Sequence, residues 1–163
     1  MNARIVIAGL SLSAAAFVAL VSHEGYTDHA VIPTKGDVPT FGFGTTTGVK
    51  MGDRTDPVRA IQRAAAELDT VYEAAVKRCA PVPMYQAEYD VYVGHTYNIG
   101  AGAFCSSTMA RKLREGDYIG ACDQILVWKK AAGYDCSTPG NKRCWGLWER
   151  RLSDHKKCME AQK

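Results

Sequence analysis

The sequence predicts an α+β fold, with a small β-sheet lobe followed by a larger and mainly helical lobe, and with an apolar helix in front of both. Three observations indicate this arrangement. Residues 5–22 contain no charged side chain, residues 23–52 are rich in turn and strand signals, and apolar residues recur at helical spacing after residue 56. About 140 residues follow the apolar segment, which suits one compact domain or two small lobes.

The apolar segment, residues 5–22, is weakly hydrophobic because Gly, Ala and Ser make up much of it. Its 18 residues are at the lower edge of what a membrane span needs. Three interpretations remain open. It is a cleaved signal peptide with an A-x-A-like site at Ala14-Ala15-Ala16, a permanent anchor, or an uncleaved anchor that later leaves the membrane.

Six cysteines lie beyond the apolar segment: Cys79, Cys105, Cys122, Cys136, Cys144 and Cys158. An even number behind an export segment predicts disulfides formed in an oxidising compartment, and the spacings do not suit zinc. A turn-rich stretch favours the local pair Cys136–Cys144. For the other four cysteines we expect Cys79–Cys158 and Cys105–Cys122.

The net charge of +3 is mild, and a solvated surface is its simplest interpretation. Mild basicity also suits an anionic polymer such as a cell wall. No run of Lys and Arg is dense enough to predict nucleic-acid binding.

Turn and strand signals define the β-lobe. Pro33–Asp37 is a turn signal, residues 38–44 form a short aromatic strand broken by glycines, and residues 45–49 are expected to continue a small antiparallel sheet. Phe41 and Phe43 are expected to pack in this sheet.

Capping residues define the helices that follow. Asp56 is an N-cap residue followed by Pro57 at the first helical position, and apolar periodicity continues to Cys79. A second helix is predicted from about Tyr85 to Tyr97. Three further helices are predicted. One begins after Ser107, one begins after Asp117, and the last covers Trp145–Met159.

The sequence directly after the apolar segment contains a motif with catalytic residue types. Glu24 lies in His23-Glu24-Gly25, and Thr40 follows sixteen residues later, in Asp37–Gly44. This arrangement resembles the phage-type lysozymes related to the phage T4 enzyme. The resemblance covers most of residues 23–155 and continues through Gly48–Asp53, Tyr97–Gly100 and Gly116–Tyr118.

The resemblance implies a lysozyme-like fold and hydrolysis of the β-1,4 bond between N-acetylmuramic acid and N-acetylglucosamine in peptidoglycan. Glu24 would protonate the leaving oxygen, since an apolar neighbourhood keeps a carboxyl protonated. Thr40 would position a water molecule with the help of a nearby carboxylate, and the anomeric centre would invert. The resemblance implies no cofactor and no metal, and we expect a monomer.

The second carboxylate departs from the family pattern, which is Glu-x8-Asp-x5-Thr. The matching positions hold Pro33 and Thr34, and neither is acidic. We assign the role to Asp37, three residues before Thr40. Asp28 is the next candidate for this role. In the alternative interpretation, Asp37 only caps its turn, and Thr34 occupies the position that is usually acidic in the family.

The resemblance also gives an organisation to the chain. Residues 1–22 would be a signal-anchor-release segment, and residues 23–163 the catalytic domain, made of a β-lobe (23–55), a connecting helix (56–80) and a helical lobe (81–163). The enzyme would be exported to the host periplasm, tethered to the inner membrane through residues 5–22 without cleavage, and released later. Because this segment has no cysteine, release would need no thiol exchange.

Two other functions fit the same sequence. A lytic transglycosylase also uses a catalytic Glu on a lysozyme-like fold, and needs no residues to hold water. A non-catalytic exported module that binds the cell wall is the alternative outside the enzyme class. The four histidines form no triad or metal pattern, so packing or surface roles are expected for them, including His95. Structural hydrogen bonding, rather than contact with sugar, is expected for His95 and Asn98, and packing roles are expected for the three tryptophans.

Overall fold

The computed structural model describes residues 3–33 and 36–163. The chain divides into two compact units. We call Leu12–Ala74 the sheet unit, and the residues up to Ser11 together with Ala75–Lys163 the helical unit. Short antiparallel strands and helices confirm the predicted α+β class.

The sheet unit consists of α1 (Ala14–Glu24), β1 (Thr27–Val31), β2 (Thr40–Gly42), α2 (Pro57–Glu67) and a π-helical turn (Leu68–Glu73). The caps of its helices follow the sequence. The side chain of Ser13 accepts a hydrogen bond from the N–H of Ala16, and that of Asp56 accepts one from the N–H of Arg59.

The sheet is built around β1. β1 pairs antiparallel with β2, so that Thr27 lies opposite Gly42 and Val31 opposite Thr40. On its other edge, the N–H of Ala30 donates to the carbonyl of Asp53 at 2.9 Å. A small apolar core lies beneath the sheet, formed by Ala30, Phe41 and Val49.

Residues 45–49 do not continue the sheet as a strand, so that expectation was wrong. The chain turns back at Gly44, which has φ 81°, and Thr45 forms an isolated bridge with Phe41. Gly48 then turns the chain again at φ 69°. Glycine adopts these positive φ values without the steric cost that other residues have, and two such turns leave no room for a strand.

The helical unit carries most of the helices. They are α3 (Ala74–Cys79, continuing from the π-helical turn), α4 (Gln86–Ile99), α5 (Ala101–Ser106), α6 (Thr108–Arg114), α7 (Tyr118–Asp123) and α8 (Trp145–Glu160). A 3-10 turn (Gln124–Val127) follows α7, and β3 (Lys130–Ala131) pairs with β4 (Tyr134–Asp135). Fully buried side chains form the core, including those of Tyr89, Tyr92, Phe104, Leu113 and Ile125.

The N-terminal segment differs from the expected single helix over residues 5–22. Helix begins only at Ala14, where Ser13 caps it. Upstream, Ile5 exchanges two backbone hydrogen bonds with Met84, at 2.8 and 2.9 Å, a 3-10 turn covers Ile7–Gly9, and Leu10 is buried. These backbone bonds to another segment replace the bonds of a continuous helix. Throughout the described ranges, helices are too short or too polar to cross a bilayer.

Three disulfides connect Cys79 with Cys105, Cys122 with Cys158, and Cys136 with Cys144. The local prediction, Cys136–Cys144, is confirmed, whereas Cys79–Cys158 and Cys105–Cys122 were wrong. The reason is helix packing, since α7 contacts α8 and thereby brings Cys122 to Cys158. Sequence spacing does not report such contacts.

Candidate active site

Glu24 is the last residue of α1, and it is exposed. Gly25 follows with φ 70°, a backbone conformation that side chains with a Cβ rarely adopt. The chain therefore leaves the helix at this point and enters β1 at Thr27. Local sequence sets this geometry, because Ser13 caps the start of α1 and a glycine ends it.

Thr40 is the first residue of β2 and is half-buried. Its Oγ1 donates a hydrogen bond to the carbonyl oxygen of Val38 at 3.1 Å. A hydroxyl group has one proton to donate and two lone pairs that accept. The proton of Thr40 is committed to Val38, whereas its lone pairs can accept a hydrogen bond from water or from a sugar hydroxyl.

The sheet places the residues after Glu24 beside the residues after Thr40. Because β1 and β2 are antiparallel, the chain that arrives from Glu24 runs alongside the chain that leaves Thr40. The rings of Tyr26 and Phe43 lie at this position, with their centroids 5.3 Å apart. Both candidate residues thus belong to the sheet unit, with Glu24 at the end of α1 just before β1, and Thr40 at the start of β2 opposite Val31.

The candidates for the second carboxylate lie in or next to the same hairpin. Asp37 is exposed in the connection between β1 and β2, three residues before Thr40. Thr34, the alternative at the usual acidic position, lies outside the described residues. Asp37 lies on the segment that leads directly to Thr40, whose hydroxyl is predicted to position the water molecule.

Asp28 lies on β1 and is engaged by two neighbours. Its carboxylate is 2.6 Å from Nδ1 of His29 and 3.5 Å from Nη1 of Arg54. The hydrogen bond from His29 is the main reason why the pKa of Asp28 lies below its usual value. A carboxylate held in this way is a weaker proton acceptor, which makes Asp28 less suited than Asp37 to the role of a base.

Tyr72 is a neighbour of the site that the sequence analysis missed. It lies on the π-helical turn and is half-buried. Burial raises the pKa of its phenol, and the negative charges of Glu67 and Glu24 raise it further. The carboxylate of Glu24 is therefore within electrostatic range of this hydroxyl. Single π-helical turns are frequent at functional sites, but no spacing in the sequence indicates one here.

The residue after Tyr72 supports α1 from the same turn. Glu73 is only 5% exposed, and its Oε2 accepts a hydrogen bond from the N–H of Leu12 at 3.0 Å. This contact holds the chain just before the start of α1 against the π-helical turn. Glu73 thus helps to position the helix that ends at Glu24.

His95 lies in the core of the helical unit, whereas Asn98, on the same helix, is exposed. The His95 ring is fully buried, packs edge-on against Trp128, and forms no hydrogen bond through either nitrogen within the described chain. Burial, and then the charge of Arg151, lower the pKa of His95 to about 3. Arg151 donates a hydrogen bond to Oδ1 of Asn98. Within residues 3–33 and 36–163, no three His, Cys, Asp or Glu side chains are arranged to hold a metal ion.

Comparison with known protein families and relatives gives one consistent result. The family model described as "Phage lysozyme" matches residues 14–154. The SAR-endolysin of Pseudomonas phage phiKMV is 31% identical over 148 residues, which are 90% of this chain and 88% of that protein. The endolysin of Salmonella phage P22 is 31% identical over 127 residues, which are 75% of this chain and 86% of that protein.

Solved structures are similar as well. A lysozyme of phage P22 has a TM-score of 0.72 at 28% identity, covering 92% of this chain and 99% of that chain. The endolysin Lyz of phage P1 is 15% identical, so its similarity concerns the fold alone. Its active form has a TM-score of 0.76 and covers 100% of this chain and 98% of that chain. Its secreted inactive form has a TM-score of 0.51, covering 91% and 96%.

Proposed function

Because this chain belongs to the phage lysozyme family, we propose that it hydrolyses the β-1,4 bond between N-acetylmuramic acid and N-acetylglucosamine, with Glu24 as the general acid. Family membership makes it a lysozyme that acts on peptidoglycan. The observation that carries the finer proposal is the position of Glu24, at the end of α1 and directly before the hairpin that holds Thr40. The biological result would be lysis of the host cell.

Glu24 is suited to protonate a leaving group. Cleavage of a glycosidic bond needs an acid on the leaving oxygen and a second group that manages water on the other face of the sugar. Glu24 is exposed rather than enclosed by the apolar neighbourhood expected from the sequence, and its carboxyl is therefore accessible to a glycan chain. The chain is held at both ends of α1, by Glu73 and by β1, and such fixation keeps an acid in place relative to its substrate.

Thr40 and Asp37 would supply the attacking water. The lone pairs of Thr40 Oγ1 can accept a proton of that water, since the hydroxyl donates its own proton to Val38. Asp37 would accept the second proton as the water attacks. Direct attack on the anomeric carbon inverts its configuration.

Matched substitutions test these roles. Glu24→Gln should lower kcat on purified cell walls by roughly 10²–10⁴-fold, the usual contribution of a general acid. Asp37→Asn should reduce activity strongly, whereas Asp28→Asn is its control and should not. Thr40→Val removes the lone pairs and should inactivate the enzyme, whereas Thr40→Ser keeps the hydroxyl and should retain activity.

The fold of every variant must be verified before its activity is interpreted. Unchanged circular dichroism and an unchanged melting temperature are the criteria. Full activity of folded Glu24→Gln would refute the proposed acid, and full activity of Asp37→Asn would remove Asp37 from the site. Glu115→Gln is a control for the loss of an exposed carboxylate in the helical unit, and should be fully active.

A lytic transglycosylase is the second candidate, because it would use the same acid on the same bond. The presence of Thr40 on the hairpin favours hydrolysis, since a transglycosylase needs no water at this step. Mass spectrometry of digested peptidoglycan separates the two reactions. Hydrolysis leaves a reducing end, whereas transglycosylation leaves a 1,6-anhydro end that is lighter by one water.

For the N-terminal segment, we propose that residues 5–22 tether the exported enzyme to the inner membrane and remain in the released enzyme without cleavage. The absence of charge in this stretch supports insertion. Retention is supported by the burial of Ile7 and Leu10 and by the backbone pairing of Ile5 with Met84. The higher similarity to the active form of the P1 endolysin is consistent with a released state.

Two measurements test this part. The intact mass of enzyme purified from the periplasm should include residues 1–22, and a mature form that starts after Ala16 would refute retention. Gly9→Leu with Ser11→Leu should keep the enzyme on the membrane and delay lysis, because both positions are exposed in the folded chain and leucine favours the bilayer. A Cβ at Gly9 meets Ile5 at an ordinary 3.6 Å, so the fold tolerates the change. Gly9→Ser is the control.

A further inference from the structure

The helical unit contains a covalently closed surface loop that the proposed chemistry does not use. β3 and β4 form a short hairpin, and the disulfide Cys136–Cys144 closes the turn after it. We call residues 129–144 the stapled loop. Its polar groups bind one another, since Ser137 donates to the Asp135 carboxylate from its N–H at 2.9 Å and from its hydroxyl at 2.6 Å.

The disulfide of the stapled loop differs from the other two in its span. It joins residues 8 positions apart, whereas the others join residues 26 and 36 positions apart. The stabilisation of a whole domain by a disulfide increases with the length of chain that it closes. The short span therefore contributes mainly by fixing the exposed loop, and a loop that is already fixed loses less conformational entropy when it binds a ligand.

The stapled loop has an excess of positive charge. It contains four cations, Lys129, Lys130, Lys142 and Arg143, and one acid, Asp135. Asp135 is already neutralised within the loop, because Ser137 and Lys129 hold its pKa at about 2 and the Lys129 Nζ lies 3.1 Å from its carboxylate. Lys130 and Lys142 are exposed, and neither has an acidic partner within 4.0 Å among the described residues.

A concavity of about 630 Å³ lies on the same loop. Tyr134, Asp135, Lys142 and Arg143 are among the residues that line it. The Arg143 guanidinium is placed in advance, since it lies 4.7 Å from the centre of the Tyr134 ring and donates to the phenol oxygen. A fixed guanidinium next to an unpaired ammonium is a suitable arrangement for a carboxylate.

We propose that the stapled loop of the helical unit is a second peptidoglycan-binding site, and that it binds the carboxylates of the stem peptides through Arg143 and Lys142. The proposal rests on the proposed function only for the identity of the polymer. In peptidoglycan the sugar rings carry neutral amide and hydroxyl groups, so the negative charge belongs to the peptides. The helical unit, with fifteen Lys and Arg against nine Asp and Glu, is the basic part of the chain, whereas the sheet unit has five against eight.

The experiment measures binding of the full-length, oxidised protein to insoluble cell-wall sacculi by co-sedimentation in the cold. Intact sacculi are compared with sacculi whose peptide carboxylates have been converted to neutral amides with a carbodiimide and ammonia, which keeps the cross-links and therefore the insolubility. Lys142→Glu with Arg143→Glu should weaken binding to intact sacculi roughly tenfold or more, since two attractive charges become repulsive. Binding to the amidated sacculi should not change.

Lys156→Glu with Lys157→Glu is the matched control, because it makes the same change in net charge on α8, outside the stapled loop. It should leave the preference for intact sacculi unchanged. Cys136→Ser with Cys144→Ser opens the loop without altering its charge, and should weaken binding to intact sacculi while costing less stability than removal of either longer disulfide. All variants should keep the wild-type circular dichroism spectrum.

Two further probes separate this site from the muramidase proposal. Isolated stem tetrapeptide, titrated into the wild-type protein and followed by NMR, should shift the signals of Arg143 and Tyr134, and this measurement needs no glycan cleavage. Cleavage of peptide-free glycan should be normal in Lys142→Glu with Arg143→Glu. An equal loss of binding to both kinds of sacculi would overturn the proposal, and so would no loss to either. Binding to vesicles of anionic phospholipid is measured as well, and a loss confined to these vesicles would also overturn the proposal.

Discussion

Arg4 and Glu88 form an ion pair that joins the start of the chain to α4. Nη2 and Nε of Arg4 each lie 3.3 Å from a different carboxylate oxygen of Glu88, and the guanidinium lies 3.7 Å from the centre of the Tyr118 ring. The Glu88 side chain is fully buried, whereas that of Arg4 is 25% exposed. Arg4 is also the single charged side chain in residues 1–22. A buried carboxylate of the helical unit thus takes its counter-ion from a segment that is otherwise uncharged.

Replacing Arg4 should destabilise the folded enzyme. In Arg4→Met, the charge of Glu88 stays buried without its cation, and removing one partner of a buried pair costs about 3 kcal/mol or more. Urea denaturation measures the loss. Arg54→Met, which breaks the exposed pair with Asp28, is the control and should cost far less stability than Arg4→Met. Adding Glu88→Gln to Arg4→Met should recover part of the stability, and equal losses in Arg4→Met and Arg54→Met would contradict this account.

Removing the charge of Glu24 should change the titration of Tyr72. Because the Glu24 carboxylate is one of the groups that raise the pKa of this phenol, Glu24→Gln should lower that pKa. Burial and Glu67 still act in the variant, so the pKa should remain above its ordinary value. NMR of tyrosine labelled at Cζ follows the titration directly, with Glu115→Gln as a control that leaves Tyr72 unchanged. An unaltered Tyr72 titration in Glu24→Gln would mean that the two groups are further apart than the structure places them.

Much of the helical architecture could be predicted because its signals are local. Asp56 with Pro57, Ser107 and Asp117 each precede a helix in the structure, as their capping chemistry indicates. The backbone of residues 5–13 could not be predicted, because it is determined by pairing with Met84, far away in sequence. The predictions of the two long-range disulfides were wrong for the same reason, because helix packing determines which cysteines pair.

The candidate site was predictable to a similar extent. Glu24 and Thr40 follow from a motif, and in the structure Glu24 ends α1 directly before the hairpin whose second strand begins at Thr40. Tyr72 and Glu73 were missed, because a π-helical turn has no sequence signature comparable to a capping residue. The choice of Asp37 over Asp28 was made from its position three residues before Thr40, and the contacts of Asp28 with His29 and Arg54 are a further argument that the sequence does not contain.

Stability should fall between neutral pH and pH 5 because of His95. Its pKa is about 3 in the folded chain, whereas an ordinary solvated histidine has a pKa of 6.5, so in this range the unfolded chain binds more protons than the folded chain. The contribution of a neutral His95 is complete above pH 6.5 and is lost progressively as the pH falls toward 3. At pH 5 the loss should be about 2 kcal/mol. The carboxyl groups of Asp28, Asp117 and Asp135 also have lowered pKa values. They affect stability only at lower pH, because the ordinary pKa of an aspartate is 3.8.

Urea denaturation at pH 5 and at pH 7.5 measures this effect, and His95→Leu tests its origin. The leucine variant should have almost the same stability at both pH values, because the unfolded chain no longer gains a proton at this position. His155→Leu is the control, since His155 lies on α8 against Asp123 and is not buried. If His95→Leu kept the full pH dependence of the wild type, another group would be responsible.

The disulfides should contribute to stability in the order of the chain length that they close. For the 36-residue span of Cys122–Cys158, the chain-entropy model gives roughly 4 kcal/mol, and for the 8-residue span of Cys136–Cys144 about 2.5 kcal/mol. Cys122 and Cys158 are also fully buried, and the hydroxyl of Tyr92 lies 3.3 Å from the sulfur of Cys158. Cys122→Ala with Cys158→Ala should therefore unfold at a lower urea concentration than Cys136→Ala with Cys144→Ala. The opposite order would show that packing strain or residual structure in the unfolded chain outweighs loop closure.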